Sequence, residues 1–458
     1  MKLYLKLFLI LTFYITKGNS DWIQIGSSIY GEARLNYSGR AVSISNDGNI
    51  VAIGAPYNDG GGKDSGHVRV YKREGNTWMQ MGGDIDGEFE REYFGGSVSL
   101  SADGNTLAVG AEELVRVFRY EGNTWTQIGK DLRGEDDDGR FGRSVSISND
   151  GQIVAVGIHP STFNHIDTGH ARVYRNVGGE WTQIGSDING DSGIDQFGHS
   201  LSLSGDGLTV VIGAPEYSID GLGLVRVYRN LGDSWVQIGD DIDGKASGNK
   251  FGYSVSASDD GNTIAIGGNY NDGNVSDSGH VRVYRYVGSN WVQVGSDING
   301  ESSGDNFGRS LSLSADGIIV AIGAAYHHNY KRGEVRVFRN VGDTWTQLGS
   351  DLNGNSNGDY FGRSVSLSGD GYTLAAGASG NDFGSRPDYG STYIFDCLSC
   401  KPTNAPTFSS NPSNTTSKCL FSNVSLSGSL CSSASSVISS SNILLPAMIG
   451  WLFLCWLW

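Results

Sequence analysis

The chain has 458 residues, 68 of them Gly and only 8 Pro, with 18 % charged residues and a formal net charge of -16 at pH 7. Such a composition is globular and turn-rich and argues against long amphipathic helices. The acidic balance argues against nucleic acid or an anionic membrane surface as partner, while admitting calcium or cationic ligands.

Residues 1–20 read as an export signal: Lys2 and Lys6 flank an apolar run at 7–15, and small or polar residues follow at 17–20. The run is short for a bilayer span, so cleavage is expected near residues 18–20. That leaves a strand, DWIQIG at 21–26, at the mature N-terminus. From there a repeat sets the organisation. Trp22, Trp78, Trp125, Trp181, Trp235, Trp291 and Trp345 recur at separations of 47 to 56 residues. A period of that kind marks units that cannot bury their apolar faces alone.

The copy at 251–300 shows the unit clearly. Apolar residues alternate with polar ones in short runs at 253–258, 264–267, 280–285 and 291–295, and Asp260-Gly261 supplies a tight turn between the first two. Four antiparallel strands at this period predict a propeller blade, with the Ser- and Gly-rich first strand innermost, where blades converge. Six copies begin at Gly39, Phe94, Phe141, Phe197, Phe251 and Phe307; a seventh begins at Phe361 and ends after its third strand, STYIFD, without a Trp strand. The orphan strand at 21–26 is expected to complete it, closing an all-β, seven-bladed ring over 21–396 without exposed edges. Blade two joins its second and third strands by a minimal turn, whereas insertions at 58–65, 162–168, 271–278 and 381–388 lengthen the same loop elsewhere. Function is expected on such loops, which vary without unfolding the scaffold.

After the ring, residues 397–442 are rich in Ser, Thr, Asn and Pro and read as a stalk unable to form a core. Cys397, Cys400, Cys419 and Cys431 cluster here and are expected to form two disulfides, with three connectivities open. A redox or zinc role for Cys397-x-x-Cys400 lacks a second CxxC or a His pair. Residues 443–458 are apolar to the end. The small triplet Ser432-Ser433-Ala434, the polar spacer 435–442 and this tail match a glycolipid (GPI) attachment signal, with Ser432 as acceptor. A retained membrane tail is the competing reading. Sequons at Asn36, Asn274, Asn414 and Asn423 suit an exported chain.

The Phe-Gly that opens six copies (Phe94-Gly95 through Phe361-Gly362) and the Gly-Ala-Pro that ends second strands (Gly54-Ala55-Pro56, Gly213-Ala214-Pro215) resemble the FG-GAP repeat, the family of the integrin α propeller. The first copy departs with Ser38-Gly39, and Gly157-Ile158-His159 and Gly323-Ala324-Ala325 replace Gly-Ala-Pro elsewhere. The resemblance implies adhesion or binding of an extracellular protein or glycan at the cell surface. It also implies calcium in a loop between strands one and two, but here that connection is a Ser-x-Asp-Gly turn (101–104, 314–317) too short for a cage.

A different acidic loop follows the Trp strand. Asp187, Asn189, Asp191 and Asp195 stand at relative positions 1, 3, 5 and 9, and the spacing recurs in Asp297, Asn299, Glu301, Asp305 and in Asp351, Asn353, Asn355, Asp359. Hard oxygens at alternate positions suit calcium. The same pattern also reads as a solvated, strand-capping turn, and Lys245 occupies position 5 after Trp235.

No nucleophile–base–acid set stands out, and the chain is not expected to be an enzyme. His67, His170 and His280 hold one repeat position before the third strand; the adjacent pair His327-His328 reads as loop surface or a weak metal contact. The third-strand arginines Arg69, Arg116, Arg172, Arg226, Arg282 and Arg336 also follow the repeat, as strand pairing demands. The other functions to weigh are a carbohydrate-active propeller enzyme, which needs irregular carboxylates at the axis, and a passive coat protein.

Overall fold

The structure, a computed structural model, describes residues 21–135, 140–159, 168–191, 195–216, 221–272, 275–327, 332–380 and 389–401. The export signal, the C-terminal tail and all of the stalk beyond Lys401 lie outside the described residues.

Alternation of small and apolar residues in the repeat produces seven antiparallel sheets, each ordered inner, second, third, outer. In blade five these are Phe251–Ala257, Thr263–Gly268, His280–Val287 and Asn290–Gln293. The seventh sheet takes its outer strand from the start of the chain: Ile23 pairs with Asp396 and Gln24 with Phe395. The ring is thus closed by its N-terminal strand, as the orphan Trp strand foretells.

The outer strand is longer than the sequence suggests. After a kink it resumes as a two-residue segment on the same third strand, so that Ile298–Asn299 pairs with His280 and Val281. The second half of each Trp strand therefore runs through what reads in sequence as an acidic loop.

Second strands are buried on both faces, as in Thr263–Gly268, because each blade is covered by its neighbours. The apolar clusters lie between blades: Val211, Val225 and Ile242 of blade four pack with Phe251, Val255 and Ile264 of blade five. Each fully buried Phe of a Phe-Gly pair contributes about 1.5–3 kcal/mol to such a seam. Polar bonds tie the seams further. Every repeat Trp donates its indole N–H to a carbonyl of the preceding blade at 2.7–3.1 Å. Around the axis, inner-strand serines accept a backbone N–H from the next blade at 3.0–3.1 Å, in an unbroken belt of seven. The serines are there for these bonds as well as for their small size.

Candidate functional site

The inner strand starts at one mouth of the ring, on the face that also carries the loops between second and third strands. The residue after each Gly of the opening pair is the first to point at the axis. In order round the ring it is Arg40, Gly96, Arg143, His199, Tyr253, Arg309 and Arg363, and all seven line one cavity of about 160 Å³. Whereas the positions around it repeat, this one does not: four blades supply arginine and one supplies no side chain. A second cavity of about 260 Å³ shares Arg40, Gly96 and Arg143 and adds Tyr57, Tyr93 and Glu112.

The arginines are half-buried, and among the described residues none of the four forms an ion pair. Burial, then the neighbouring Arg309 and Arg40, push Arg363 down to about 10. Burial likewise lowers Arg143 and Arg40, and the other ring cations add to it. Like charges gathered in a partly desolvated mouth oppose folding and favour any anion that enters. Aromatic planes hold the set in place. Arg309 stacks on Tyr253 at 5.1 Å and Tyr326 at 5.3 Å, and Tyr57 packs edge-on against Tyr93 at 5.3 Å. Glu112, the one carboxylate among the described residues that line the larger cavity, is paired with Arg140 at 3.2 Å.

The expected calcium positions are placed differently. Asp187 accepts from its own blade's Arg172 at 2.9–3.1 Å and from Gln183, while Asp191 pairs with Arg226 of the next blade. Asp297 pairs with Arg282 at 2.9 Å and Glu301 with the next blade's Arg336 at 2.6 Å. Asp351 accepts from Gln347, and Asn355 donates to the Tyr393 hydroxyl at 2.9 Å. Asn189, Asn299 and Asn353 lie in the resumed outer strands, paired with His170, His280 and Glu334. Position 9 is buried in all three sets. Asp305 Oδ2 accepts from Ser302 N, and Asp359 Oδ2 from Ser356 N. Asp305 Oδ1 is buried without a hydrogen-bond partner, a single donor where calcium takes six to eight.

These donors do not converge, and in the first two sets a guanidinium stands where a cation would. The residues as placed do not fit calcium; they form an ionic seam between blades. The same holds for Glu32, His67 and Asp84, which come together around Arg69, already paired with both acids. The third-strand arginines therefore do more than pair strands: Arg69, Arg116, Arg172 and Arg226 each join their own outer strand to the blade before, Arg282 bonds its own Asp297, and Arg336 bonds Glu301 of the blade before. Blade seven, with Tyr393 in place of the arginine, has Asn355 in place of the acid.

His67, His170 and His280 open their third strands and are buried. His327 is not loop surface: it bonds Asp305 at 2.9 Å and Glu334 at 2.7 Å inside a seam, while His328 lies outside the described residues. Cys397 and Cys400 are joined in a disulfide across the turn Leu398–Cys400, with Cα atoms 5.2 Å apart. Cys419, Cys431 and Ser432 lie outside the described residues, as do the sequons Asn274, Asn414 and Asn423. Asn36 is 3 % exposed with its Nδ2 shielded, so the closed ring leaves no room for a glycan there.

The axial arginines escape a sequence reading because each sits at an ordinary repeat position. The signal that finds them is comparison of the seven residues that follow the opening Gly.

No curated protein sequence matches the chain. The family described as FG-GAP repeat matches residues 353–395, which run from the end of blade six through the third strand of blade seven. The same Gly contacts and Trp bonds recur in every blade, and together with the match they support an FG-GAP, integrin-α-like propeller of seven blades.

Proposed function

We propose that the chain is a cell-surface binding or adhesion protein that presents the arginine- and tyrosine-lined mouth of its propeller to an extracellular protein or glycan. Residues 1–20 direct export, and the tail at 443–458 directs attachment of a glycolipid anchor to Ser432, with release of the tail. The observation that carries this reading is the divergence of the axial residues on an otherwise repetitive and rigid ring. Binding sites sit on variable positions held by a fixed scaffold. Most glycoside hydrolases use a pair of carboxylates, and the seven axial residues among the described ones include none, which favours binding over that two-carboxylate chemistry.

The test is to display the full chain on cells and probe a glycan and surface-protein array, with calcium and with chelator. Selective capture that Arg143→Gln reduces is the expected result, and chelation is expected to leave it unchanged. Absence of capture in either condition overturns the binding function and favours a passive coat.

A further inference from the structure

We infer that the axial mouth recognises an acidic saccharide: a sulfate or uronate group held by the forks of Arg40, Arg143 and Arg363, with the sugar ring lodged beside Tyr57 and Tyr93. The inference rests on the binding function proposed above and names its ligand class. Guanidinium groups offer paired donors that match carboxylate and sulfate oxygens in geometry. The four axial arginines have no ion-pair partner among the described residues, whereas six third-strand arginines of the same chain are each paired with a carboxylate. In a chain of net charge -16, cations left without acids at one point define a local field opposite to that of the whole.

The overall charge also limits what can reach them. A long polyanion such as nucleic acid is repelled by the acidic periphery, but a discrete acidic group on an otherwise neutral chain is not. Gly96 opens the second lobe of the mouth, about 260 Å³ and walled by tyrosines. That is near the lower end of small-ligand cavities, which begin at about 300 Å³. Flat phenolic walls beside a cation cluster suit a sugar ring with a charged substituent.

Gly96 also supplies the decisive variant. Its φ is not left-handed, and a Cβ there would meet nothing nearer than Tyr93 O at 3.4 Å. Gly96→Glu therefore places an internal counter-ion among the arginines without disturbing the backbone.

The full chain in detergent is titrated calorimetrically with a sulfated galactan tetrasaccharide, its desulfated counterpart, trigalacturonate and inorganic sulfate. At least one acidic sugar should bind roughly tenfold or more tightly than the desulfated one, as one or two charge-assisted hydrogen bonds imply. The trigalacturonate and sulfated arms separate uronate from sulfate recognition. Added salt should weaken binding, Arg143→Gln should cost roughly tenfold, and Gly96→Glu should abolish binding while melting at or above the wild-type temperature. Equal affinity for charged and uncharged sugars, inorganic sulfate binding as tightly as the acidic sugars, or undiminished binding by Gly96→Glu would each overturn the inference. Binding of the desulfated sugar alone would leave the general binding function standing, whereas an empty array removes both.

Discussion

Gly213 and Gly252 explain at the scale of single residues why the repeat signature contains two glycines. A Cβ on Gly213 would lie 2.1 Å from the carbonyl oxygen of Gly252 in the next blade, and Gly252 itself has a φ of +88°. The same contact recurs from Gly54 on Gly95 to Gly377 on Gly39, so the motif is a backbone-to-backbone touch between blades. Gly213→Ala should destabilise the ring by about 1–3 kcal/mol in urea unfolding, as overpacking does. Gly83→Ala, where a Cβ meets nothing within 4 Å, should be neutral or slightly stabilising; equal effects would refute the contact. The recurrence of these glycines was readable, but their reason was not, because the two members of each contact lie a blade apart.

His327 shows the opposite failure: an adjacent histidine pair in a loop gives no hint of burial. Burial pulls its pKa down, but the bonds to Asp305 and Glu334 outweigh this and push it up to about 9. A base whose folded pKa is raised stabilises fully below its unfolded pKa of about 6.5 and loses that contribution as pH climbs through about 9. The melting temperature should therefore decline between pH 7 and pH 10, reflecting a contribution of order 3 kcal/mol. His327→Gln should flatten that decline, and an unchanged slope would show that the imidazole is not the titrating group.

At the scale of elements, closure depends on a strand with few pairing residues and a large side chain. Ile23–Gln24 and Ile29–Tyr30 contribute only short ladders to Ser391–Asp396. Trp22 adds an indole bond to Leu348 at 2.8 Å and packs in the core with Tyr372, Cys397 and Cys400. It is 8 % exposed, while the Trp residues of the other blades are half-buried. Trp22→Ala should accordingly cost about 3–5 kcal/mol and exceed Trp235→Ala. Similar losses for the two would mean that the N-terminal strand is dispensable to closure. This topology was legible because the count of strands left one unpaired at each end of the ring. The division of each outer strand was not, since its second half carries Asp, Asn and Gly, residues that read as turn when the pairing third strand is out of view.

For the whole molecule, what matters is how charge is sorted. Acids stand ten residues after five of the seven Trp and face arginines of the following blade; blade seven sets Asn355 against Tyr393, and Lys245 precedes Arg282. A sum over the sequence conceals this, because paired charges cancel and unpaired ones at the axis are outnumbered. The seam also determines how the fold answers to metal. Since guanidinium groups fill the places between the acids, chelation should leave the melting temperature unchanged, and added calcium should raise it no more than magnesium at equal ionic strength. Replacing one seam arginine is the informative control. Arg116, 2 % exposed and paired with Glu92 at 2.7 Å and Asp131 at 3.0 Å, holds the seam between blades one and two. Arg116→Met should destabilise by about 3–5 kcal/mol, because removing one partner strands buried carboxylate. If calcium restores the stability of Arg116→Met, the exposed acids can hold a metal once the guanidinium is gone. If it lowers stability neither more nor less than magnesium, the acids belong to the arginines alone, and the seam is ionic glue between blades.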